Sequence, residues 1–340
     1  MVALAAGHMA RSEPSHSLPA VKHYSTALRE LQAALSDPSR AASNSTLGAC
    51  LLLCVYEASH TDRSYWLKHL QGAKELLMYR GGPKTSDFLS RFFSLLDISG
   101  SLLTGQGPLI EGNYWLEDSD SQRQNSSSTE KKPQWPYYDE GAVMVDNYHM
   151  LMVYMAKLSK LSAESMTDNG KREPQIIREK AMSIRQELYD WWQRCPPALR
   201  DQSNDWRRIP RARKLTMAEM FEEESFSSTR SCLYGCIIYL HHIIDPTGKE
   251  PQAPEVAGAI EGILDIARET PEGFGLEMGL LFGLFMAGIA ISDNDDAETL
   301  IRRKLKSNVT ISIYHADRGL ELLEVLWSKQ RRFHRKFIMV

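Results

Sequence analysis

Cysteine is scarce in this chain: there are 5 in 340 residues, at positions 50, 54, 195, 232 and 236. An odd, scattered set argues against a disulfide framework and favours a reducing compartment, cytosol or nucleus, over secretion. An excess of charge of one sign is also missing. The 40 Lys and Arg stand against 43 Asp and Glu, a net charge of −3, so no overall basic field announces a nucleic-acid binder. Neither a G-x-S-x-G elbow, a P-loop, a dinucleotide fingerprint nor an H-E-x-x-H run occurs, so no catalytic residues, cofactor site or metal site are assigned and no enzyme is expected. No run of Val, Ile and Thr alternates with polar residues far enough to predict a sheet. The opening MVALAAGHMA lacks a basic flank and is followed by polar RSEPSHS, unlike a signal peptide. The most apolar stretch, Phe274 to Ile291, reaches only the lower edge of spanning length and carries Glu277. With no second span or aromatic anchor beside it, it is expected as a buried core helix, and no membrane is expected.

Helical periodicity is what the sequence does contain. Tyr24, Leu28, Leu31 and Leu35 recur at steps of four, three and four and share one helix face, which Asp37-Pro38 ends. Ser43 or Ser45 then caps LGACLLLCVYE, apolar on nearly every side, as in a helix buried among others. The stretch YWLKHLQGAKELLMYRGG follows, with Ser64 as N-cap, a stripe of Trp66, Leu70, Ala73 and Leu77, and Gly81-Gly82-Pro83 as the stop. A fourth helix begins near Ser86 and runs to the GQGP turn at Gly105 to Pro108. Short loops between four such helices predict a compact helical unit.

From Glu117 the sequence EDSDSQRQNSSSTEKKPQWP is polar and Ser-rich, with too little apolar content to offset the entropy of ordering it, and is expected to be a mobile insertion or linker. Periodic segments resume at Val143 to Leu161, Ile176 to Trp192, Met217 to Ile244, Val256 to Ala267, Leu276 to Ile291, Glu298 to Ile313 and His315 to Phe333. The predicted fold is all-α, a multi-helix, bundle-like domain. Its N-terminal part is 1–116, the insertion is 117–139, and 140–340 is the C-terminal part of the same domain.

Cys50 and Cys54, like Cys232 and Cys236, share a helix face, the geometry that clips a metal, but both pairs lie in strongly apolar helices where free cysteine acts as a small hydrophobe. His241-His242 is expected at a helix end, favouring the negative dipole terminus. The acidic runs at Asp293 to Asp296 and Glu222 to Glu224 lack calcium-loop spacing and read as helix-start charge or a solvated face. Three basic clusters stand out: Arg207, Arg208, Arg211, Arg213 and Lys214; Arg302, Arg303, Lys304 and Lys306; and Lys329, Arg331, Arg332, Arg335 and Lys336. Solvated faces account for them. The last is the best candidate for a nuclear-localisation patch, because an import receptor can reach a terminus.

The segments HYSTALRELQAALSDPSRAASNSTLGACLLLCVYE, YWLKHLQGAKELLMYRGG and FLSRFFSLLDISGSLLTG, in this order, resemble the fungal-specific transcription factor domain, the regulatory region downstream of a six-cysteine binuclear zinc cluster. LFMAGIAI, Arg302-Arg303, Asn308 and the closing LLEVLW are similar to that domain's last helices. The combination Trp66, His69 and Gly72 is the most specific part, with Leu70, Arg80 and Gly81 in the same motif. The resemblance implies an α-helical regulatory region in the nucleus, and also in the cytoplasm. It would answer to a small-molecule effector, form homo- or heterodimers with related transcription factors, and control a metabolic or secondary-metabolite gene cluster.

It also implies a structural His69; by helix spacing Gly72, three residues on along the adjoining face, permits a neighbouring helix to approach closely and the imidazole to bond across, with a ligand-contacting or a catalytic His69 as the alternatives. The family's C-x2-C-x6-C pattern is absent. No direct DNA binding and no cofactor are therefore expected of this chain alone, zinc entering only with a six-cysteine cluster upstream. The opening MVALAAGHMA resembles the inside of a family helix, so the chain is expected to begin after the domain's own start. Two further readings stand beside this one: an interaction co-regulator pairing with a full-length relative, and an enzyme or small-molecule-binding protein on the same helical fold.

Overall fold

The computed structural model describes residues 1–60, 65–83, 88–111, 138–200, 217–248, 252–270, 277–292, 294–308 and 316–333. All regular structure among them is helical, as the periodicity predicts. They fall into two compact units, one built on the helices up to Thr104 with the segment from Pro108, the other on the helices from Tyr138 onward. The polar stretch 117–139 lies outside the described residues except for Tyr138 and Asp139, where a helix begins.

In the first unit α1 (Val2–Ser12), α2 (Ser17–Leu35), α4 (Asn44–His60), α5 (Tyr65–Tyr79) and α6 (Phe88–Thr104) are joined by short connections, with a single turn, α3 (Pro38–Ala41), after α2. α4 is central and packs on α1, α2, α5 and α6, which explains why its sequence is apolar all round. Leu47, Leu51, Cys54, Leu70, Ala73, Leu77 and Phe93 form the heart of the core. The boundaries follow local chemistry. Asp37 caps α3 through the amides of Ser39 and Arg40, and Ser43 Oγ accepts from Thr46 N at 3.2 Å. At the end of α5 the amide of Gly82 reaches the carbonyl of Leu77 at 2.9 Å and that of Gly81 reaches Met78 at 3.1 Å. Gly81 takes a left-handed φ of 97°, completing a Schellman stop.

The second unit holds α7 (Tyr138–Met166), α9 (Pro174–Arg194), α11 (Met217–Ile244), α12 (Pro254–Glu269), α13 (Glu277–Ala290), α14 (Asp295–Asn308) and α15 (Ala316–Phe333), with the short turns α8 (Asp168–Arg172) and α10 (Pro197–Arg200). α11 is its axis and packs on α7, α9, α12 and α13. Gly283 faces Ser231 so closely that a Cβ would sit 2.2 Å from the Ser231 hydroxyl, which lets α13 lie directly on α11. Leu280, Leu284, Ala287 and Ile289 of α13 are buried in this core. No helix among the described residues is long and apolar enough to cross a membrane.

Candidate functional site

His69 sits on α5 half-buried, turned toward α2 and α4. Its Nε2 lies 3.4 Å from the phenol of Tyr24, and that phenol donates to Glu57 Oε1 on α4. Tyr24 stacks on Tyr56 with ring centroids 4.6 Å apart, and the thiol of Cys50 donates to the backbone carbonyl of His69 at 3.2 Å. Three helices thus meet at one small polar group inside an apolar unit. Glu57 is 4% exposed. It is the partner that sequence reading missed, and the signal was a single carboxylate closing the otherwise apolar LGACLLLCVYE.

Burial shapes the acid–base character of this group. It raises the Tyr24 phenol far above its usual range, and the hydrogen bond to Glu57 adds to the effect. Burial lowers His69, against the field of Glu57, which favours the neutral imidazole. Cys50 is pushed up to about 11 by burial, and Cys54 and Cys236 rise too. Protonated, buried thiols are neither nucleophiles nor ready metal ligands. No metal-competent group of three His, Cys, Asp or Glu occurs among the described residues.

The other motif residues lie around His69. Leu70 is 1% exposed in the core, and Arg80 bonds through Nη2 to the side chain of Asn44. A Cβ on Gly72 would meet Cys50 Sγ at 3.7 Å, an ordinary contact, so Gly72 does not enforce the close approach expected of it. That approach occurs at Gly100, where a Cβ would lie 3.0 Å from the Trp66 ring. The indole of Trp66 crosses the neighbouring helix at the one position without a side chain.

In the second unit His241 joins a denser cluster. Glu255 accepts from Arg185 Nη2 at 2.8 Å and from the Tyr189 hydroxyl at 2.6 Å, and its other oxygen meets His241 Nε2. Burial acts to raise Glu255, but the hydrogen bonds from Arg185, Tyr189 and His241 overcome it and hold the carboxyl down at about 2. This cluster ties α9, α11 and the first turn of α12 together. His241 does lie in the last turn of its helix, and the partner of its ring is the Glu255 side chain.

The basic clusters divide once folded. Residues 207–214 lie outside the described residues, as do Arg335 and Lys336. Arg302 pairs with Glu324 at 2.6 Å and covers the Trp327 ring at 5.3 Å, while Lys304 is 3% exposed with its ammonium on the Thr270 carbonyl. Arg331 clasps the 4%-exposed carboxylate of Glu298 at 2.7 and 2.9 Å and, though paired, stays exposed to solvent like Lys329 and Arg332 of the same turn. Asp295 and Asp296 occupy the first turn of α14, the helix-start charge expected of that run, and Asn294 caps it through Ala297 N at 3.0 Å. The side chains of Glu222 to Glu224 lie outside the described residues.

No curated protein and no solved structure matches the chain. The family model of the fungal specific transcription factor domain matches residues 1–336. That match covers both units and both groups of motif residues. The chain therefore belongs to the fungal-specific transcription factor domain family.

Proposed function

We propose that this chain is the regulatory region of a fungal transcription regulator, acting in the nucleus by answering a small-molecule effector or a related transcription factor, and not by reading DNA itself. The family match over residues 1–336 carries this reading. The residue chemistry agrees with it: Tyr24, His69 and Glu57 are engaged with one another, and so are Arg185, Tyr189, His241 and Glu255. In this reading Trp66, His69, Leu70, Gly72, Arg80 and Gly81 keep α5 seated on its neighbours and have no catalytic role. No cofactor is proposed for the chain itself, zinc entering only if a six-cysteine cluster lies upstream. A metabolic or secondary-metabolite gene cluster is the proposed class of target.

The test joins the chain to a heterologous DNA-binding module in a yeast reporter strain and measures reporter output across nitrogen and carbon sources. Output that changes with growth condition is expected, together with no gel shift of random-sequence DNA by the chain alone. A reporter indifferent to the fused chain in every condition would sink the effector reading. Co-purification with a full-length zinc-cluster protein in that case would favour the partner-dependent co-regulator.

A further inference from the structure

Asp97, on the inner side of α6, is 2% exposed. Each of its oxygens takes a backbone donor from a segment further along the chain: Oδ1 accepts from Leu109 N at 2.8 Å and Oδ2 from Ile110 N at 3.0 Å. Those amides follow a turn in which Gly105 and Gly107 adopt φ of 65° and 75°. The Leu109 and Ile110 side chains pack half-buried on the core of the first unit. The carboxyl group therefore holds residues 108–111, a strap without regular structure, by its backbone.

What surrounds Asp97 makes this contact sensitive to protons. Among the described residues it makes no ion pair, and Lys74, on the neighbouring α5, is the charged side chain whose field acts on it. An ionised carboxylate buried with two neutral donors and no bonded cation is costly, and protonation relieves that cost. Burial accordingly lifts Asp97 to about 6, against the two amide bonds and Lys74, which both act to lower it.

We propose that Asp97 is a proton-sensitive latch that holds the strap 108–111 closed more firmly as the solution turns mildly acidic. With the strap lifted, the carboxyl is hydrated and returns to an ordinary value near ~3.9. The closed form then binds more protons than the open form over the range between about 6 and the ordinary value, so lowering the pH favours closure. Going from roughly pH 7.5 to pH 5 tightens closure about tenfold, and below about pH 4 both forms are protonated and the effect levels off. This inference stands apart from the regulatory reading and from the identity of any effector.

Hydrogen exchange on the full chain, normalised for intrinsic rates, tests it at roughly pH 7.5 and pH 5. The Leu109 and Ile110 amides should gain about tenfold in protection at the lower pH, with no such gain in Asp97→Asn. Should that variant fail to fold, a carboxyl-carbon NMR titration of Asp97 in the unaltered chain decides, with a midpoint near 6 expected. Protection that is flat or falls on acidification, an equal gain at the α4 amides, or a midpoint in the ordinary aspartate range would each overturn the latch.

Discussion

The indole N–H of Trp327 donates to the carbonyl oxygen of Gly288 at 2.9 Å, joining α15 to the end of α13 across 39 residues of sequence. Gly288 lies in the last turn of α13, where carbonyls have no partner within their own helix, so the indole supplies a bond the backbone lacks. Trp327 is fully buried, and a Cβ on Gly288 would clash with Leu323 at 2.7 Å. The closing helix is thus fitted to α13 by a hydrogen bond and by a missing side chain at the same residue.

Replacing that indole separates its polar from its apolar part. Trp327→Phe keeps much of the ring but strands the Gly288 carbonyl, with an expected loss of about 1–3 kcal/mol. Trp327→Ala adds a cavity, for a loss of about 3–5 kcal/mol. Urea denaturation of both variants measures the difference. A Phe variant as stable as the unaltered chain would show that the hydrogen bond contributes nothing.

Two glycines should respond to alanine in opposite directions. In Gly283→Ala the new methyl would stand 2.2 Å from the Ser231 hydroxyl and 3.0 Å from its carbonyl, forcing α11 and α13 apart. The expected loss is about 1–3 kcal/mol. Gly258, within α12, has open space where a methyl would stand, with nothing within 4 Å, so Gly258→Ala should gain about 0.5–1 kcal/mol by restricting the unfolded chain. Thermal melts of the pair check this, and a Gly283→Ala chain as stable as the unaltered one would mean that α13 does not lie directly on α11.

The Glu255 cluster predicts an acid limb in the stability profile. Its carboxyl is depressed from 4.5 to about 2, so the stability it contributes is fully present above about 4.5 and is lost as pH falls through about 2. Glu255→Gln removes the charge that Arg185 and His241 answer and should cost on the order of 1–3 kcal/mol at neutral pH. The gap between variant and unaltered chain, followed by denaturation from pH 7 downward, should close in that acid window. A gap that stays constant would mean the charge is immaterial.

His69 should act at milder acidity. Its folded value is lowered by burial, so the unfolded chain takes up a proton first and stability falls as pH drops through the ordinary imidazole value of 6.5. His69→Gln cannot titrate. Its stability deficit relative to the unaltered chain should therefore shrink between roughly pH 7.5 and pH 5. Denaturation of both proteins at matched pH values checks this, and a deficit that grows with acid would mean His69 is held in its charged form. Because Asp97 titrates with the opposite sign in the same range, the difference between the two proteins carries the result, not the raw profile of either.

The helices are legible because their signals are local. The segment Met217 to Ile244 stands out in the sequence with the boundaries it has in the fold, and the Gly81-Gly82 stop follows from glycine's access to left-handed backbone. Legibility of the site is partial. Trp66 and His69 can be singled out on α5, but the Tyr24–Glu57 pair that His69 meets cannot, since those residues are 33 apart and one sits in a run that reads as apolar. The expectation for Gly72 misses for a related reason: on one helix it is three residues from His69, but which glycine meets an aromatic ring depends on how a second helix crosses, and that places Gly100 under Trp66.

The basic runs mark the same boundary between local and global information. Sequence alone makes Arg302, Lys304 and Arg331 members of charged clusters, whereas folding commits them to Glu324, the Thr270 carbonyl and Glu298. Periodicity, caps and stops act over three or four residues and are written in the order of amino acids, so the all-α architecture needed nothing else. The ends are less sharply written: the segment read as Val143 to Leu161 is a helix over Tyr138–Met166, and the one read from Glu298 begins at Asp295. Which polar groups become buried partners, and which carboxyl is left without a cation, depends on helices meeting across tens of residues, where the cost of burying charge selects among pairings that no spacing specifies.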